Sequence, residues 1–251
     1  MTDYPTRLGA YHVIGPFGER PGCYRGWDPA ERQALLLWLL PADAGAEATA
    51  HVTAAALRAA VHPHPHITRT IGVDHDDGRP FVVTAFVQGP SFADRIRTRA
   101  QMAVPDILSQ VADISDALGF ARAHDLVRRP FAAADAIVGR DGVTRWMWTP
   151  CDEHGVIERA EVPAPTEATL VQALGAVLYD LLAVPAAVSG GSERALLASV
   201  RSGIDPVVAA LADRWVAPGA DDRSLASLSA ELRGLAADLH EAASQAAVVA
   251  A

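Results

Sequence analysis

Four groups of residues in this chain have types and spacings that chemistry can use. His62-Pro63-His64-Pro65-His66, with Asp74 and His75 downstream, offers imidazoles and a carboxylate of the kind that hold zinc. The alternating prolines keep that run extended, whereas metal ligands must converge. An ordinary surface loop is therefore the preferred reading, and a metal site the alternative. His124-Asp125 has the composition of a general base beside its orienting acid. Arg128-Arg129 offers two guanidinium forks, either to an acidic or phosphorylated partner or to an internal salt bridge. Gly18 and Gly22 could belong to a loop that cradles phosphate, but Glu19 adds negative charge there and Pro21 has no N–H to give. They read more simply as turn glycines. No serine sits in a nucleophile-elbow pattern.

Absences narrow the chemistry further. All 21 basic residues are arginine, so no step that needs a lysine amine can occur in this chain. Its two cysteines, Cys23 and Cys151, are too few and too far apart to frame a disulfide scaffold, and read as reduced thiols. The formal net charge of −9 argues against nucleic acid as a partner, since binding there relies on cations at phosphates. The N-terminus lacks the basic and apolar regions of a signal peptide. The apolar stretch 170–188 is interrupted by Gln172, Asp180 and Pro185, which excludes a membrane span. The expected setting is the cytoplasm, without membrane insertion.

These residues must be positioned by two kinds of local structure. Residues 11–15, 23–27, 33–40, 67–73 and 80–87 are β-prone, and an alanine-rich helix is expected over 47–61. Asp76-Asp77-Gly78 is a turn between the last two strands. After residue 90 the pattern becomes helical: 91–100 with Ser91 as N-cap, 104–123, 169–183, 193–201, 206–216 and 225–240. A small hairpin, 136–138 with 144–148, flanks Asp141-Gly142.

A five-stranded lobe with one helix, followed by a helical lobe, resembles a protein kinase, and most closely the bacterial serine/threonine kinases over residues 8–236. Tyr11-His12-Val13-Ile14-Gly15 looks like their first strand, and Tyr24-Arg25-Gly26-Trp27-Asp28 like the end of the second. His64-Pro65-His66-Ile67 resembles the "HPNI" after the helix of the small lobe. Phe86-Val87-Gln88-Gly89-Pro90-Ser91 resembles the hinge and "EGxSL" segment. Gly175-Ala176-Val177-Leu178-Tyr179-Asp180-Leu181-Leu182 resembles "LGVVLYELL", and Asp222-Arg223 the entry to the last helix. The resemblance implies an α+β, two-lobed fold. The N-lobe would cover 8–88 and the C-lobe 89–240, with 241–251 as a flexible tail.

The same resemblance implies what each catalytic position now holds. Third-strand spacing puts the phosphate-binding lysine at Leu37, with Leu35 on the same face against the adenine and Thr84 at the back of the pocket. The glutamate that would orient the lysine falls near Ala55, and no acid lies between Glu47 and His62. "HRDLKPAN" aligns with residues 128–135. That places Pro130 at the catalytic aspartate and Ala132 at the loop lysine. Asp135 takes the place of the metal-binding asparagine, the one position still able to hold Mg²⁺. "DFG" aligns with Trp148-Thr149-Pro150, and an indole cannot ligate Mg²⁺. Trp146 and Trp148 are expected on one strand face, with Trp148 packed into the cleft. The aspartate that braces the catalytic loop aligns near Leu170, and Ala164-Pro165-Thr166 is the relic of "APE".

Phosphoryl transfer depends on positioning, metal and charge neutralisation together. The expectation is therefore a pseudokinase with no cofactor, acting as a protein-binding scaffold or signalling regulator through another protein, acidic or phosphorylated. Arg128 and Arg129 are the candidate contacts. The alternatives are a nucleotide-binding sensor without turnover and, last, a residual phosphotransferase built on Asp135.

Overall fold

The computed structural model describes residues 4–151, 163–183, 196–201, 203–217 and 224–249. The chain divides into two compact units. The first takes Met1–Gln88, Phe120–Arg129 and Met147–Ala164; the second takes Gly89–Gly119, Pro130–Trp146 and Pro165–Ala251.

In the first unit a six-stranded antiparallel sheet is built from β1 (Arg7–Leu8), β2 (Tyr11–Pro16), β3 (Cys23–Asp28), β4 (Gln33–Leu39), β5 (Thr70–Asp76) and β6 (Arg79–Ala85). Its order is β1-β2-β3-β4-β6-β5. Helix α1 (Ala46–Val61) connects β4 to β5 and packs on β5 and β6. Its buried stripe is Val52, Ala55, Ala56 and Ala59, small residues that let helix and sheet approach closely. The central strand β4 is apolar on both faces. Leu35 and Leu37 join Leu8, Phe81 and Val83 in one core cluster, and Tyr11, Val13, Tyr24, Leu39 and Ile71 pack against it. The turn Asp77-Gly78 carries positive φ at both residues, 45° and 77°, as a two-residue hairpin turn requires.

The second unit holds α2 (Phe92–Arg97), most of α3 (Val104–Ala123), a 3₁₀ turn (Ala133–Asp135), the hairpin β7 (Ala136–Val138) and β8 (Thr144–Trp146), and helices α4 (Glu167–Ala183), α5 (Leu197–Val200), α6 (Pro206–Val216) and α7 (Leu225–Val249). Ser91 caps α2 in a capping box. Its Oγ accepts the Asp94 amide at 3.0 Å, and Asp94 Oδ2 accepts the Ser91 amide at 3.1 Å. The Arg97 guanidinium, followed by these Ser91 donors, pulls the Asp94 carboxyl below its usual range. Two glycines mark close approaches. A Cβ on Gly175 in α4 would lie 2.3 Å from the Trp215 carbonyl oxygen of α6. One on Gly89 would lie 1.9 Å from the Val138 carbonyl oxygen. Asp113 and Asp116, off the apolar stripe of α3, both pair with Arg233 of α7.

Several boundaries differ from the sequence reading. A short first strand, Arg7–Leu8, precedes the five expected. The fifth begins at Thr70 rather than residue 67. Strand β8 ends at Trp146, so Trp148 lies beyond the strand and does not share its face with Trp146 by alternation. The last helix continues past His240 to Val249. Alanine propensity carries it through the segment expected as a flexible tail, helped by Ser244 Oγ on the His240 carbonyl at 2.9 Å and Gln245 on Glu241 at 3.0 Å. Residues 193–195, Asp222-Arg223 and most of the segment 150–169 lie outside the described residues.

Candidate functional site

Strand pairing decides which side chains share a face. In an antiparallel ladder, directly opposed residues point to the same side, and neighbours along a strand alternate. Leu36 opposes Thr84 and Trp38 opposes Val82, while Leu37 opposes Val83 and Leu35 opposes Ala85. Leu36 and Trp38 therefore lie on the Thr84 face. Leu35 and Leu37 lie on the other, in the cluster with Phe81 and Val83. This corrects the expectation that Leu35, Leu37 and Thr84 line one surface. The strand position beside Thr84 is Leu36, and the residue two before it on that face is Ala34. Leu37 covers Gly26 instead: a Cβ at Gly26 would lie 2.7 Å from Leu37 Cδ1.

The Thr84 face is buried at these positions. Leu36 and Trp38 are each 2 % exposed, and Thr84 1 %. The Trp38 indole Nε1 donates to Thr84 Oγ1 at 3.1 Å. Thr70, which opposes Thr84 on β5, is also buried, and its Oγ1 has no hydrogen-bond partner among the described residues. At the other end of the same face, Trp27 opposes Ala34 and is 38 % exposed.

The glycine-rich stretch forms a closed hairpin. Phe17 N–H donates to the Cys23 carbonyl at 2.9 Å, and Leu39 N–H to the Gly22 carbonyl at 2.8 Å. Gly18 and Gly22 have φ of 60° and 70°, and a Cβ on Gly22 would sit 2.6 Å from the Leu39 carbonyl oxygen. Their role here is backbone geometry. Cys23 is a free thiol, and both it and Cys151 are buried; burial, offset in part by Arg20 and reinforced by Cys151, pushes the Cys23 thiol well above its ordinary range.

Within the first unit the segment after α3 is tied down by charge. Asp125 adopts φ 57° at the helix end, with the Leu126 amide on the Ala121 carbonyl at 2.8 Å. Its carboxylate accepts Arg128 Nη2 at 2.6 Å and Arg58 Nη2 of α1 at 3.3 Å. Arg129 donates through Nε and Nη2 to Thr149 Oγ1, at 3.4 and 3.1 Å. His124-Asp125 is therefore no base-and-orienter pair: the aspartate serves two arginines, and His124 stacks on His62 at 4.2 Å between centroids. Trp148 is 3 % exposed. Its backbone N–H donates to Thr68 Oγ1 at 3.2 Å and its indole to the Leu126 carbonyl at 3.0 Å.

In the second unit Pro130 and Ala132 are exposed. Asp135 is 1 % exposed, and its Oδ2 accepts the Ala132 amide at 3.2 Å, closing its own 3₁₀ turn. Leu170, at the position of the expected loop-bracing aspartate, is fully buried in α4. Among the described residues no group of three or more His, Cys, Asp or Glu side chains is arranged to hold a metal, the 62–66 run included, and no helix is long and apolar enough to cross a membrane.

Sequence reasoning missed Leu36, Trp38 and Thr68. Trp38 was detectable as the only aromatic in the β4 run, but its Thr84 bond joins residues 46 apart in sequence.

Known proteins give this geometry a frame. A family model described as protein tyrosine and serine/threonine kinase matches residues 22–146. No curated protein sequence matches. Among solved structures, the PknI kinase domain of Mycobacterium tuberculosis superposes with a TM-score of 0.68 at 19 % identity, covering 94 % of this chain and 100 % of that one. The six-stranded sheet with its single helix, the helical second unit, and this superposition together show that the chain has the protein-kinase fold.

Proposed function

We propose that this domain does not transfer phosphate and works by binding another protein. One observation carries the reading: the strand face beside Thr84, where a phosphate-binding lysine would project in a kinase, presents the buried side chains of Leu36 and Trp38. The chain contains no lysine at any position. The buried stripe of α1 offers only Val52 and three alanines to pair with one. The remaining positions support it. Pro130 has no carboxylate, Trp148 cannot hold Mg²⁺, and the Asp135 carboxylate is turned into its own backbone turn. Losing several members of one catalytic set leaves at most a small residue of activity.

A nucleotide-sensing role without turnover is the second reading. The exposed indole of Trp27 opposite Ala34 favours it, since a flat ring beside a small residue can stack on a base.

Thermal unfolding with and without millimolar ATP, in Mg²⁺ and in EDTA, tests both. A ligand at about 100 times its Kd stabilises by about 2.7 kcal/mol, a few degrees for a chain this size. The expected result is no shift. A shift that survives EDTA favours the sensor. A Mg²⁺-dependent shift, followed by transfer of labelled phosphate to any protein, overturns the proposal.

A further inference from the structure

Resting on the protein-binding reading above, we infer that the C-terminal half of α1, together with the segment that follows α3, is the docking surface. Its occupant is an acidic segment of another protein carrying aliphatic side chains. Helical periodicity puts Leu57, Val61 and Arg58 in one sector about 100° wide, and His62 follows as the C-cap. One edge of that sector is pinned: Arg58 bonds Asp125, and His62 stacks on His124. The other edge is open. Leu57 is 51 % exposed and Val61 70 %, two aliphatic side chains one turn apart. The neighbouring rings are continuous with it, His124 on Phe120 at 4.3 Å and Phe120 against His64 at 4.7 Å.

Charge selects the partner. In a chain of net charge −9, the described ion-pair cluster on this face sets two guanidiniums, Arg58 and Arg128, against one carboxylate, Asp125. Among the described residues, Asp125 is the carboxylate these two guanidiniums share, and their Nε atoms are buried with no hydrogen-bond partner. The side chains of Arg58 and Arg128 remain 36 % and 25 % exposed. Four of the nine histidines, His62, His64, His66 and His124, add ring N–H donors at the same place. An arriving carboxylate meets the guanidinium forks, and an aliphatic side chain beside it covers Leu57 and Val61.

The test uses the full chain and a short fluorescein-labelled peptide of Leu-Glu-Glu repeats, read by anisotropy at low salt. Binding is expected, weakening as salt rises. It should weaken about tenfold with Val61→Asp, which adds like charge at an exposed position and leaves the core intact, and several-fold with Arg58→Gln. The same peptide with Gln for Glu should not bind. No binding at low salt, or binding that survives Val61→Asp and Arg58→Gln unchanged, overturns the surface. The ATP experiment is independent: a negative peptide result beside a negative ATP result removes this surface and leaves the non-catalytic reading standing.

Discussion

Restoring a lysine to the strand should damage the protein rather than revive it. Leu36 is 2 % exposed, lies on the Thr84 face, and has Trp38 two residues along that face. α1 offers a lysine there no carboxylate, because its buried side chains are Val52, Ala55, Ala56 and Ala59. An ammonium buried without a partner gives up its proton. At pH 7, starting from an ordinary pKa near 10.4, that deprotonation costs about 4.6 kcal/mol at 1.36 kcal/mol per unit. Natural domains have about 5–15 kcal/mol in all. Leu36→Lys should therefore lower the urea midpoint severely, while the volume-conserving Leu36→Met costs less than about 1.5 kcal/mol. The pH dependence has a definite sign. The folded-state pKa of this lysine is depressed, so the unfolded chain binds more protons, and stability rises with pH. Between pH 7 and pH 9 the deficit should shrink by about 2.7 kcal/mol relative to Leu36→Met. Equal midpoints for the Lys and Met variants at pH 7, or a deficit independent of pH, would show that the face is wet or holds an acid. Either result defeats the argument that the position can no longer host a lysine.

Three further outcomes follow from the same unit. Thr84→Val removes the acceptor of the buried Trp38 Nε1 at 3.1 Å, so it should cost about 1–3 kcal/mol, and Thr84→Val with Trp38→Phe should cost less than the single change in chemical denaturation. Gly26→Ala forces a methyl to within 2.7 Å of Leu37 Cδ1 and should cost about 1–3 kcal/mol; Leu37→Ala in the same chain should relieve the clash, which a double-mutant cycle reads as a favourable coupling. The Cys23 thiol is buried and its pKa is raised, so in native protein at pH 8 iodoacetamide should leave Cys23 unlabelled while urea-unfolded protein reacts fully, as peptide mass spectrometry would show.

What could be read from the sequence, and what could not, follows from the range of the forces involved. Helices α3 and α6 are legible to the residue, because their apolar spacing and the Asp205-Pro206 start are local signals. The hairpin turn at Asp77-Gly78 is legible for the same reason. The end of the last helix, expected at His240 and found at Val249, is placed too early because alanine propensity is a weak signal when no apolar stripe accompanies it. Strand β4 fails differently. Leu35-Leu36-Leu37-Trp38-Leu39 is apolar on both faces, so it carries no alternation, and without alternation nothing local says which leucine faces Thr84. Only pairing with β6, some 46 residues away, fixes that. The same holds for Trp148, whose anchors are Thr68, 80 residues back, and Leu126. Yet the uniformity that hides the register also protects the chemical conclusion. Shifting the strand by one residue exchanges Leu37 for Leu36 and leaves an aliphatic side chain where an amine would be required. The position is hidden and the chemistry is plain, because residue type is written in the sequence, whereas facing is written only in the pairing.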